Sequence, residues 1–326
     1  ASAIIRSLYR YVRVAAASES RARIGRNPAF RNPKDNPPAP QKKSMKIGAF
    51  EILDSVPELK SPCAISMLRP WIDVGKVGTM ALNRLERHLG AQELGRLSRP
   101  GAFFDFTRYR PRLKLVDGQR TTITPNSIIN FAHDDESDRD FLFLHIREPH
   151  MSGEDYTESI VELLEYFKVA EHFRIGGMYD SVPHTRPLLV TGSLNEDQMD
   201  LARGLVVEQG SNYQGPTSIV NLVSDSLKAR GIMSSSLMVH LPQYVQLEQD
   251  FMGTARLIEV LSSIFGFSES LVDVDRGKIQ YSEIEGALSS NSEVKNLIKQ
   301  LEIYYDRTVS TPENDASEDI TLSPEV

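Results

Sequence analysis

The stretch at 141–146, Phe-Leu-Phe-Leu-His-Ile, constrains the fold more than any other part of the chain. A nearly continuous apolar run of this length marks a strand covered on both faces, whereas a strand with one wet face alternates apolar and polar residues. Just beyond it, Ser152 and Asp155 form a capping-box-like helix start. Tyr156, Ile160, Leu163, Leu164 and Phe167 then recur at helical spacing and make one apolar face. A buried strand that runs straight into an amphipathic helix is the unit from which sheets with parallel strands are built.

The same alternation runs through the body of the chain. Residues 64–68 read as a strand, and from Val74 the positions Val77, Ala81, Leu85 and Leu89 make a helix with Asp73 as N-cap. Residues 102–106 read as a strand, and 114–118 with 121–124 as two more joined at Asp117-Gly118, a good hairpin turn. Strands are predicted at 174–179 and 232–239, and helices at 196–205 and 217–230. After Phe251 the pattern becomes helical through Leu257, Val260, Leu261 and Ile264. A last helix carries the stripe Val294, Leu297, Ile298, Leu301 and Tyr304, whose spacing suits packing on its own domain or on a neighbouring subunit. The expectation is an α/β fold with a mainly parallel sheet, helices on both faces and C-terminal helices.

The ends differ from this body. Residues 1–44 carry Arg6, Arg10, Arg13, Arg21, Arg23, Arg26, Arg31, Lys34, Lys42 and Lys43 against only Glu19 and Asp35, with a Pro-rich run at 27–40. An Arg-rich, acid-poor stretch fits a mitochondrial transit peptide, a disordered tail, or sequence ahead of a true start at Met45. The expected organisation is a basic extension at 1–44, an α/β domain at 45–267, a helical segment at 268–307 and an acidic disordered tail at 308–326. With a net charge of -7 over 326 residues and a basic N-terminal stretch, the body is acidic, so nucleic acid is not an expected partner. No apolar run reaches the roughly 18 residues of a membrane span, and no membrane partner is expected. The single cysteine, Cys63, has no intramolecular partner for a disulfide, which fits a reducing, cytoplasmic setting.

Parallel strands deliver their ligands to loops beyond their carboxyl ends. Those loops hold Trp71, Asp73, Gly75 and Gly78 after the first strand, Glu148 and His150 after the second, Asp180, His184, Thr185, Arg186 and Thr191 after the third, and His240 and Tyr244 after the last. The pattern predicts that Asp73, Glu148, His150, Asp180, His184, Arg186 and His240 share one crevice. Neither a nucleotide-binding glycine order nor a nucleophile elbow is present, so no catalytic residue and no cofactor is assigned. The histidines lack zinc-site spacing, and no metal is expected.

The segments Trp71-Ile72-Asp73-Val74-Gly75-Lys76-Val77-Gly78, Phe104-Asp105-Phe106-Thr107-Arg108-Tyr109-Arg110-Pro111 and Pro183-His184-Thr185-Arg186-Pro187 through Val190-Thr191-Gly192 carry a resemblance. With Glu148-Pro149-His150, Tyr213-Gln214-Gly215-Pro216-Thr217 and Val239-His240-Leu241-Pro242-Gln243-Tyr244 in order, the sequence resembles the proteasome-assembly-chaperone family of the second chaperone type, in its bacterial, actinobacterial-type branch. The resemblance implies a three-layer α/β/α domain similar to the nucleoside-phosphorylase and peptidyl-hydrolase folds, and self-assembly, often as homotrimers. It implies Val294, Leu297, Ile298, Leu301 and Tyr304 as interface candidates. Archaeal and eukaryotic relatives dock on the proteasome through a hydrophobic-Tyr-any residue terminus, and this sequence ends Ser323-Pro324-Glu325-Val326, so that route is not expected. The carboxylate-amine ligase label that some bacterial members carry finds no ATP-binding motif here.

Two functions follow. One is a non-enzymatic, self-assembling chaperone or scaffold with an unknown bacterial protein client. The other is an enzyme or sensor that binds an anionic or nucleoside-like small molecule at the strand ends, with Asp180, His184 and Arg186 as its contacts. A filled, mutually bonded edge favours the first, and an open pocket with unpaired groups favours the second.

Overall fold

A computed structural model describes residues 44–53, 58–116, 118–208, 215–289 and 291–310. The basic and acidic ends therefore lie outside the described residues, except for Ser44 and the last turn of the final helix.

Strand alternation builds the core. In β3 (Cys63–Arg69), Cys63, Ile65 and Met67 face one apolar cluster while Ala64 and Leu68 face the other. In β8 (Arg139–Arg147), Phe141 and Phe143 go to the first and Leu142, Leu144 and Ile146 to the second. The first layer is closed by α1 (Val77–His88), through Val77, Ala81, Leu82 and Leu85, and by α5 (Phe251–Phe265). The second is closed by α2 (Gly153–Tyr166) and α4 (Ile219–Ala229), through Tyr156, Ile160, Leu164, Val223 and Leu227. Each such fully buried large side chain contributes about 1.5–3 kcal/mol. The result is the expected three-layer α/β/α architecture.

The sheet has ten strands. Its centre runs β8, β3, β9 (Glu171–Asp180), β12 (Met233–Pro242), all parallel. Beyond β8 the order is β7 (Ile128–Asp134), β4 (Gln92–Leu97), β2 (Phe50–Leu53) and β1 (Ser44–Ile47), each antiparallel to the next. Beyond β12 come β10 (Val190–Ser193), antiparallel to it, and β11 (Val207–Glu208). The sheet is thus mixed, with four parallel strands in the middle and a further parallel pair, β10 with β11, at one end. Outside it, β5 (Arg112–Val116) and β6 (Gln119–Ile123) form a separate two-stranded hairpin.

Several local expectations differ. Residues 102–106 are not a strand: a 3-10 turn at Pro100–Ala102 leads into a turn held by Asp105, whose Oδ1 accepts the Thr107 N–H at 2.7 Å. Phe103 and Phe104 pack against Tyr156 there, so their apolar character reflects burial without pairing. Ser152 makes no side-chain cap, and its left-handed φ of 50° departs from the extended backbone that an N-cap residue ordinarily has. The helix expected at 196–205 stops early, as α3 (Glu196–Leu201), capped by the reciprocal Asn195–Gln198 box. A 3-10 turn at Val74–Lys76 precedes α1, so Asp73 reaches over it. Its Oδ1 accepts the Thr79 N–H at 3.0 Å and its Oδ2 the Thr79 hydroxyl at 2.6 Å.

Two more helices follow α5. The first, α6 (Val274–Leu288), approaches so closely that a Cβ on Gly277 would lie 2.7 Å from the Met252 Cα. The second is α7 (Ser292–Ser310). Val294 is buried with Tyr244, Val245 and Leu288, and Ile298 and Leu301 pack on the same cluster. Leu297 is half-buried and Tyr304 is exposed.

Candidate functional site

Since β3, β8, β9 and β12 are parallel, their carboxyl ends do lie along one edge of the sheet. Hydrogen bonds nevertheless sort the predicted residues into separate groups, not one network.

The first group ties three neighbouring strands. His240 donates from Nδ1 to Asp180 Oδ2 at 2.7 Å, which leaves Nε2 to accept the Thr191 hydroxyl at 2.8 Å. The His240 bond holds the Asp180 carboxyl below the usual range. The order carboxylate, imidazole, hydroxyl is that of an acyl-transfer relay. Here Thr191 and His240 are both buried, and the chain of bonds fastens β10 across β12 to the end of β9.

The second group lies under the C-terminal helices. The Tyr244 oxygen accepts the His184 backbone N–H at 2.8 Å, so its own hydrogen points to His184 Nδ1 at 2.7 Å. The proton of the neutral ring then sits on Nε2, buried without a hydrogen-bond partner and 3.5 Å from Glu285 Oε2. Burial lowers the His184 pKa and raises that of the Tyr244 phenol. Beside them Thr185 donates to Glu302 at 2.5 Å, and Arg186 binds Asp306 through two parallel bonds and Glu302 through a third at 3.2 Å. The Tyr305 hydroxyl donates to the Pro187 carbonyl at 2.7 Å. The arginine read as an anion contact thus carries carboxylates of its own chain.

The remaining predicted residues serve the first two strand ends. Trp71 is 61% exposed. Gly75 sits at φ 58°, and a Cβ there would come within 2.7 Å of the Asp250 Cβ; its carbonyl accepts the Asp250 N–H at 2.8 Å. Gly78 lets α1 settle on Asp73 and Met67. Both glycines are explained by close packing. The Glu148 N–H bonds the Arg69 carbonyl at 2.8 Å, its Oε2 is buried without a partner, and burial raises its pKa. His150 accepts the Asp105 N–H at 3.2 Å and stacks edge-on against Tyr109.

Sequence reasoning did not single out Arg69 and Arg147, the last residues of β3 and β8, or Tyr109, over whose ring Arg147 lies. The signal was present: each strand ends in an arginine just before a proline turn, Arg69-Pro70 and Arg147-Glu148-Pro149. A concavity of about 710 Å³ lies between α1 and the start of α5, lined by residues that include Arg84, Arg87, Phe251 and Arg276 and by none of the predicted site residues. Among the described residues no cluster of His, Cys, Asp and Glu suits a metal ion, and no helix is long and apolar enough to cross a membrane.

Fold and edge together define an α/β protein in which Asp180, His240 and Thr191 are bonded to one another and Thr185 and Arg186 are bonded to its own C-terminal helix. A PAC2 family profile matches residues 67–284, more than half of the chain, and the chain belongs to the PAC2 family. This agrees with the resemblance carried by its loop motifs. A Corynebacterium glutamicum protein of unknown function shares the fold with a TM-score of 0.71 and 22% identity, over 80% of this chain and 98% of that one. A PAC2 family protein from Streptomyces avermitilis gives 0.64 and 21%, over 72% and 99%. A proteasome-assembly chaperone homologue from Mycobacterium tuberculosis gives 0.63 and 21%, also over 72% and 99%. No curated protein matches the sequence.

Proposed function

We propose that this protein is a non-enzymatic assembly chaperone or scaffold that works by binding proteins, itself included, with a homotrimer as its working form. The observation that carries this reading is where its apolar surface lies. Strand-end groups such as Asp180, His240, Thr191 and Arg186 are bonded within the chain, while Leu113 (70% exposed), Leu115 (74%), Val116 (48%) and Ile123 (42%) stand in water on the isolated β5–β6 hairpin. A two-stranded hairpin is marginal by itself, and exposed apolar side chains, here Leu113 with Leu115 on one face and Val116 with Ile123 on the other, mark contact surfaces. The likeness to a proteasome-assembly chaperone homologue supports the same reading. Arg112, Lys114 and Arg120 on the hairpin favour a client or subunit surface that is acidic.

Light scattering during size exclusion tests it. The expected mass is a multiple of 36.6 kDa that falls to the monomer when Leu113 and Leu115 are both replaced by Asp, with an unchanged melting midpoint. A monomeric wild type at micromolar concentration argues against self-assembly, and an unaltered multimer in the double variant removes the hairpin from the interface.

A further inference from the structure

The parallel ladder between β3 and β8 sets Arg69 directly opposite Arg147 at its last rung. Neighbouring strands are about 4.8 Å apart, and like charges directly opposite one another destabilise a sheet. Among the described residues, neither arginine has a carboxylate within ion-pair distance. Arg69 Nε is buried without any hydrogen-bond partner. Arg147 gives its Nε to the Asn126 carbonyl at 3.2 Å and lays its guanidinium over the Tyr109 ring at 5.3 Å.

The nearby acids do not neutralise them. Asp73, the carboxylate that most favours the charge on Arg69, spends its oxygens on Thr79. Burial pushes Glu148 toward its neutral form, with the Ile219 N–H at the start of α4 opposing that shift, and its Oε2 is buried without a partner. Burial disfavours the charge on both arginines, and Arg69 disfavours that on Arg147 further. An arginine left without a counter-ion in a partly buried site costs stability unless something else neutralises it.

We propose that Arg69 and Arg147 together bind an oxyanion, the phosphate or carboxylate group of a small-molecule ligand, at the carboxyl edge of β3 and β8. The guanidinium fork matches such a group with paired hydrogen bonds, and the carboxyl edge of parallel strands is where α/β sheets place their ligands. The site is distinct from Arg186, which is already saturated by Asp306 and Glu302. Arg112 of the hairpin adds a like charge near Arg147, but the light-scattering variants change only Leu113 and Leu115, so neither outcome of that experiment bears on the site.

Thermal unfolding and titration calorimetry of the full chain test the assignment, with sodium phosphate in one arm, sodium citrate in another and sodium chloride at matched ionic strength as reference. Phosphate, citrate or both should raise the unfolding midpoint saturably, and the arm that responds names the class. Arg69→Met should weaken that response at least tenfold while leaving the anion-free midpoint equal to or above the wild type, because an unpaired buried cation has been removed. Arg147→Met should weaken it likewise, and Arg186→Met should keep it. Should Arg69→Met not fold, Arg69→Lys keeps the charge, loses the fork and should bind more weakly than the wild type. No anion effect beyond chloride overturns the proposal, as does a response that survives loss of either arginine. A lower anion-free midpoint in Arg69→Met would make that residue a structural cation and overturn it too.

Discussion

Arg186 and Asp306 meet fork to fork, Nε on Oδ1 and a terminal nitrogen on Oδ2, each at 2.9 Å. Parallel paired bonds of this kind fix orientation as well as proximity. They join the loop after β9 to the last helix, 120 residues further along the chain.

Arg186→Ala should therefore loosen α7 without unfolding the body. Amide exchange followed by mass spectrometry should speed several-fold across 299–306 and stay unchanged in β3 and β8. Unaltered exchange in α7 would mean that the apolar seat of Val294, Ile298 and Leu301 holds the helix without the ion pairs.

Tyr244→Phe removes one oxygen that serves two groups of His184, the backbone N–H and Nδ1. Leaving buried polar groups unpaired costs about 1–3 kcal/mol. Urea unfolding should show a lower midpoint with the same slope. A change below a few tenths of a kcal/mol would mean that water reaches His184 as soon as the hydroxyl is gone.

His172 gives the clearest pH signature. It lies buried between the Ser66 and Ser234 hydroxyls, and burial, with the Arg174 charge adding to it, lowers its pKa to about 3 from an ordinary 6.5. The unfolded chain takes up a proton that the folded one refuses. Stability is thus fully present above the unfolded value of 6.5 and is lost as pH falls toward about 3, by up to about 1.4 kcal/mol per pH unit. Asp180, lowered by His240, adds its loss only below its ordinary 3.8. In His172→Gln the slope of stability between pH 6 and 4 should flatten, as measured by urea unfolding across that range, and equal slopes in the two proteins would sink this account.

Gly75→Ala should destabilise by a few kcal/mol, since a left-handed residue costs about 1–2 kcal/mol before any clash and the new Cβ would lie 2.7 Å from the Asp250 Cβ. The phosphate response of Arg69 and Arg147 should survive in the part of the protein that folds. Its selective loss, with stability intact, would instead make Gly75 part of a binding turn.

The central strands were legible because burial on both faces writes itself as an unbroken apolar run, as in β8, and the helices beside them because their faces keep a steady period. The flanking strands were not. In β4 a register shift between Glu93 and Gly95 breaks the alternation, and β10 and β11 are too short to show one. The meeting of Asp180 and His240 followed from the topology, and Thr191 joins them from the antiparallel strand β10. The engagement of Arg186 by Glu302 and Asp306 did not, because partners more than a hundred residues apart leave no local trace. Arg69 and Arg147 look like ordinary strand-end charges until the ladder sets one opposite the other.

Among the described residues the hairpin of β5 and β6 has no third strand beside it, and an unpaired strand edge can accept an incoming strand. A client could dock there by extending the ribbon, with main-chain bonds giving affinity and the Leu113 and Leu115 side chains, which share one face, giving register. That openness is also a hazard, and Arg112, Lys114 and Arg120 act as gatekeepers, since a strand from an identical hairpin would bring like charges together. Replacing Lys114 by valine would leave the fold of the body untouched while turning a docking arm into a seed for edge-to-edge aggregation.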